Sequence, residues 1–192
     1  MTFQISALPA ATFAPLFELS ADELAARGGV RRVADKSPGF PCRVSLRDAE
    51  PGDTLLLVNY EHQPARSPFR STHAIYVCRG AVQAHPAPGE VPEMLRRRLL
   101  SVRAFDDAGM LLDADVVERT ALEAVVARLL GAPQAAYLHV HFARPGCYAA
   151  RVDRAVRDLP FRGQHSGAPL QGAGRTALPR PLPMGSSALV LG

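Results

Sequence analysis

The stretch Tyr137-Leu-His139-Val-His141-Phe-Ala-Arg144-Pro-Gly-Cys147-Tyr-Ala-Ala-Arg151 decides how this chain is read. In an extended strand, alternate side chains share a face. Leu138, Val140 and Phe142 then form an apolar face turned to the core. Tyr137, His139 and His141 point the opposite way. Pro145-Gly146 is turn chemistry, and Cys147–Val152 reads as the returning strand.

Working outward, Leu99–Phe105 and Met110–Val116 flank Asp106-Asp-Ala-Gly109, a hairpin signature. Between the hairpin and the histidine strand, Val117, Leu122, Val125, Val126 and Leu129 recur at helical spacing, which predicts a helix over Val117–Leu130. Upstream, Glu50-Pro-Gly-Asp53 forms a turn before the apolar run Thr54–Tyr60, and His73–Cys78 is a further β-rich run. Phe3–Leu8 reads as a strand. Ser20-Ala-Asp-Glu23 is a capping box opening a short helix that Gly28 closes. Strands in adjacent runs, without long crossover helices, predict an α+β fold: a single domain with a mostly antiparallel sheet and a few short helices. That domain spans 1–158. Residues 159–192 are dense in Pro and Gly and lack either period, so a disordered or loosely docked tail is expected.

The charge pattern supports this division. The 192 residues carry a formal net charge of +4. Residues 1–150 hold 16 basic and 16 acidic side chains, so the whole surplus lies in the last 42 positions. Nucleic acid is therefore not an expected partner of the folded body. No apolar stretch approaches the ~18 residues that span a bilayer, and no basic region precedes the apolar residues at the N-terminus, so neither a membrane nor a signal peptide is expected. Three cysteines without framework spacing suggest reduced thiols and a cytoplasmic location.

Two imidazoles on one strand face, roughly 7 Å apart by the strand rise, suit metal ligation, acid–base work or anion binding. A cupin-like metal site places a Glu shortly after such a pair, where this chain has Arg144, Pro145 and Gly146. Distant ligands such as His73, His62 or Cys147 could complete a set, but no residue is assigned as a metal ligand. The histidine-triad hydrolases need a third alternating histidine, and Ala143 stands there. Cys147, after a Pro-Gly turn and near arginines, could be a thiolate nucleophile.

A second polar cluster runs from Asn59-Tyr-Glu61-His62 to Ser71-Thr-His73. In the strand, Asn59 and Glu61 share one face, Tyr60 and His62 the other. Arg43 and Arg70 are candidate anion-binding arginines, each open to pairing with Asp48 or Glu61. Arg96-Arg-Arg98 reads as a solvated helix face. The expected site is a small-molecule pocket in which His139, His141 and Cys147 do chemistry and Asn59, Glu61, His73 and Arg151 bind substrate. No cofactor is specified. The rival is a non-catalytic binding module in which these side chains make structural hydrogen bonds. The pocket requires the two stretches to converge.

The segments Gly39-Phe-Pro-Cys42-Arg43, Leu46-Arg-Asp-Ala-Glu-Pro-Gly52, Asn59-Tyr-Glu-His62, Ser71-Thr-His-Ala-Ile75 and Ala143–Asp153, in this order, resemble the bacterial family catalogued as domain of unknown function 1203. The resemblance covers residues 2–155. It implies a single small bacterial domain and transfers no activity or catalytic residues.

Overall fold

The computed structural model describes residues 2–118 and 121–155, and the tail expected at 159–192 lies outside them. In chain order the first elements are β1 (Phe3–Ser6), α1 (Ala10–Phe13), a 3-10 turn (Ala14–Glu18), α2 (Ala21–Ala26) and β2 (Val30–Val33). Then come β3 (Thr54–Gln63), β4 (Ser71–Cys78) and α3 (Glu93–Arg96). The last are β5 (Leu100–Phe105), β6 (Leu111–Val117), α4 (Leu122–Gly131), β7 (Tyr137–Phe142) and β8 (Tyr148–Arg154).

The strands form two sheets, five-stranded in the order β1-β8-β7-β5-β6 and three-stranded in the order β2-β3-β4. Every named pairing is antiparallel. The fold is α+β, as the run of adjacent strands implies. The single expected sheet is instead two, because the β2–β4 strands pair only among themselves.

β7 is the centre of the larger sheet and is buried along its whole length. On one face, Leu138, Val140 and Phe142 align with Ala104, Val102 and Leu100 of β5. These residues pack under Leu122, Val126, Leu129 and Leu130 of α4 and Met94 and Leu95 of α3. The opposite face of β7, where alternation places Tyr137, His139 and His141, is buried too: His139 is 2% exposed and His141 fully enclosed. Rings of β3 and β4 cover it, so the histidines lie between the two sheets. The smaller sheet turns Leu56, Val58, Ile75 and Val77 into a second core with Phe13, Phe17, Leu24 and Tyr148. Its opposite face buries Leu55 with Ala34 and Ala49.

Local signals translate directly. Ser20 caps α2 with the reciprocal Glu23 bond of a capping box, and Gly28 follows at φ +69°. The β5–β6 hairpin turns at Gly109, whose φ of +76° excludes most side chains. The predicted helix from Val117 begins five residues later, at Leu122, because Val117 closes β6 against Leu100. Among the described residues, no helix is long and apolar enough to cross a membrane.

Candidate functional site

Four histidines from three strands meet between the sheets. β7 supplies His139 and His141 by simple alternation. β4 supplies His73, opposite Tyr60 in the β3–β4 ladder. His62 sits where that ladder shifts register between Glu61 and Gln63, a bulge of the kind that re-aims a side chain. The His62 ring is sandwiched, stacked on His73 at 4.6 Å and on Tyr148 at 4.9 Å between centroids. It meets His139 and His141 edge-on at 5.3 and 5.1 Å.

Hydrogen bonding fixes which nitrogens are free. His141 Nδ1 lies 3.1 Å from the carbonyl oxygen of Gly146. A carbonyl only accepts, so Nδ1 carries the proton and Nε2 presents its lone pair. His62 Nδ1 is 3.4 Å from His139 Nδ1. The tautomer that frees His62 Nε2 makes its Nδ1–H the donor in that pair. Three buried ring nitrogens have no partner among the described residues: His62 Nε2, His73 Nδ1 and His141 Nε2. One ligand atom from each of these residues falls within 4.8 Å of the others, and the group includes no carboxylate.

The site favours neutral imidazole. Burial pushes His62 down to about 4, with the charge of His73 adding to it. Burial takes His139 to about 3 and His141 to about 2, His62 contributing to the first and Arg103 to the second. His73 is lowered by burial and then by Arg103. Arg103 stands beside His139 in the β5–β7 register and makes no ion pair among the described residues. Its positive charge opposes protonation of all four rings.

The two polar stretches thus converge through His73, His139 and His141, though not through every expected residue. Asn59 and Glu61 are exposed, because strand alternation sends them to the face opposite His62. Glu61 there pairs with Arg70 at 2.5 Å. Arg151 lies opposite His139 in the β7–β8 register. Its guanidinium already grips Asp153 at 2.8–3.0 Å and stacks over Tyr137 at 3.9 Å. Cys147 accepts a bond from Arg43 Nη2 at 3.0 Å, on the wall of a neighbouring cleft.

The sequence-based site omits His62, Tyr148 and Arg103. His62 had a readable signal, since it shares the inward face with Tyr60. Tyr148 and Arg103 had none, because their roles depend on cross-strand register.

No curated protein and no solved structure matches the chain. A family's sequence model matches residues 39–154, a shorter span than the expected 2–155 that still contains all four clustered histidines. The chain therefore belongs to the family described as protein of unknown function DUF1203.

Proposed function

We propose that this chain is a metalloprotein that holds a divalent transition metal, zinc foremost, on His62 Nε2, His73 Nδ1 and His141 Nε2. Two observations carry this: His62, His73 and His141 each keep a buried ring nitrogen with no partner among the described residues, and one ring nitrogen from each of the same three residues lies within 4.8 Å of the others. Leaving one buried polar group unsatisfied costs ~1–3 kcal/mol. Three such nitrogens on histidines that cluster this closely are better explained by a shared partner than by three separate penalties. Neutral imidazoles suit zinc, copper, nickel or iron(II). The Gly146 carbonyl and the His139 ring orient two of the ligands from behind, as outer partners of metal-bound histidines do.

Zinc–nitrogen bonds are ~2.0–2.1 Å long, so the three rings would have to draw together to hold one ion. His73, the one half-exposed member, has the freedom to move. With three neutral ligands and Arg103 alongside, a metal held here would favour an anion as its further partner. A metal so held would supply a Lewis acid or an activated water, which makes hydrolysis or hydration of a small molecule the supported reaction class. Cys147 has no part in it, its thiol being held by Arg43.

The test is metal analysis of purified protein, followed by zinc competition against a chromophoric chelator. One equivalent of metal is expected. His141→Ala and His62→Ala should each weaken binding by ~100-fold or more, at the upper end of what losing an outer partner costs. Circular dichroism checks that the variants fold. A wild-type protein that binds no stoichiometric metal, or a folded His141→Ala that binds it equally well, overturns the assignment.

A further inference from the structure

A second cleft lies beside the histidine cluster, across the turn that links β7 to β8. Its volume is about 770 Å³, and its lining includes Arg43, Arg98, Arg144, Tyr76, Phe142 and Cys147. Ligand pockets for small molecules run ~300–1,000 Å³.

Arg43 is its most unusual wall. It is only 1% exposed and has no carboxylate partner among the described residues. Its Nε donates to the Tyr148 carbonyl at 2.8 Å, Nη1 to the Pro41 carbonyl and Nη2 to Cys147 Sγ. A guanidinium has five N–H donors, so two are left over among these contacts. A buried charge without a counter-ion is costly by several kcal/mol, and an anion in the cleft would relieve it.

The charges on the wall set the valence of that anion. Arg98 is neutralised by a two-pronged pair with Asp48, and Arg97 by Glu93 at 2.9 Å. Arg43 and Arg144 have no acidic partner among the described residues, and Glu118 also lines the cleft. Two positive charges against one negative leave a single charge to be met. The rest of the wall is apolar, with the Phe142 ring flanked by the guanidiniums of Arg43 at 4.9 Å and Arg98 at 5.1 Å. Tyr76, Leu99 and Pro41 extend the same apolar surface.

We infer that this cleft binds a small organic monocarboxylate, its charge on Arg43 and Arg144 and its apolar body against Phe142 and Tyr76. The inference is independent of the metal reading, and its test is run in chelator.

Calorimetric titration at low salt compares benzoate and hexanoate with neutral benzamide and inorganic phosphate. Saturable binding of at least one carboxylate is expected, with benzamide at least ~10-fold weaker, as befits loss of a charge-assisted bond worth ~1.4 kcal/mol or more. Phosphate, which lacks an apolar body, should bind no better than benzamide. Arg144→Ala should weaken the carboxylate by ~10-fold. Ala74→Phe, at an exposed position on the cleft wall, should abolish binding by filling the space. Arg43→Met could fail to fold, so these two surface variants decide. Absence of saturation by both carboxylates, equal binding of benzamide, or undiminished binding by folded Ala74→Phe overturns the inference.

Discussion

Acidification should unfold this protein from its centre, and the structure sets the scale. An unfolded histidine titrates near 6.5, whereas burial holds His62, His139 and His141 at about 4, 3 and 2. Between those values the unfolded chain takes up protons that the folded chain refuses. Stability is therefore whole above about pH 6.5 and is lost as pH falls towards the folded-state values. At pH 5 each depressed imidazole costs ~2 kcal/mol, at 1.36 kcal/mol per unit. His139 and His141 alone account for ~4 kcal/mol, and with His62 the sum reaches ~6. A domain has only ~5–15 kcal/mol in total.

The assay is urea unfolding followed by circular dichroism at pH 7.5 and pH 5, in chelator so that no metal competes for the rings. With a urea slope of ~2 kcal/mol per molar, the midpoint should fall by ~2 M or more. His139→Gln should show a pH dependence smaller by ~2 kcal/mol. A wild-type loss below ~1 kcal/mol would show that the rings protonate in the folded state, and the buried inter-sheet site described above would be wrong.

Three further outcomes follow from particular placements. Leu138→Ala, fully buried at the centre of the larger sheet, should cost ~2–5 kcal/mol in denaturant unfolding. Gly109→Ala should destabilise by more than the ~1–2 kcal/mol of a left-handed residue, since its new Cβ would stand 2.3 Å from Cβ of Ala65. Adding Ala65→Gly should recover the clash and leave the backbone strain. Asn59→Ala and Glu61→Gln should leave metal affinity within about twofold and stability within ~0.5 kcal/mol, because both side chains face away from the histidines. A large effect from either would mean that β3 presents its other face to the site.

Much of the fold could be read from local chemistry. The capping box at Ser20, the hairpin turn at Gly109 and the alternation in β7 each depend on residues near in sequence. Alternation also separated Asn59 and Glu61 from Tyr60 and His62, though not which pair faced inward. That depended on where the smaller sheet packs, a long-range fact. The same limit explains Val117, whose apolar character fits a helix or a strand until Leu100 is known to lie opposite. It explains Arg98 too. Within Arg96-Arg-Arg98 it reads as solvated, yet Asp48, 50 residues away, draws it inward. The bulge at His62 has no sequence signature, so the sequence offers His62 as a distant ligand without showing that its ring turns towards His139 and His141.

The turn between β7 and β8 has one more consequence. Its Gly146 carbonyl holds the ring of His141, while the next residue, Cys147, bonds the buried Arg43. Phe142 and Cys147 are tied across the turn by a backbone bond of 3.0 Å. A molecule that shifted Arg43 or Cys147 would therefore bear on the neighbouring carbonyl that sets the tautomer of His141. Such linkage runs equally in both directions: whatever factor an occupant of the cleft applies to affinity at the histidines, occupancy there applies to the cleft. Were both proposed ligands bound, the seven residues His141–Cys147 would be the chain that links their sites.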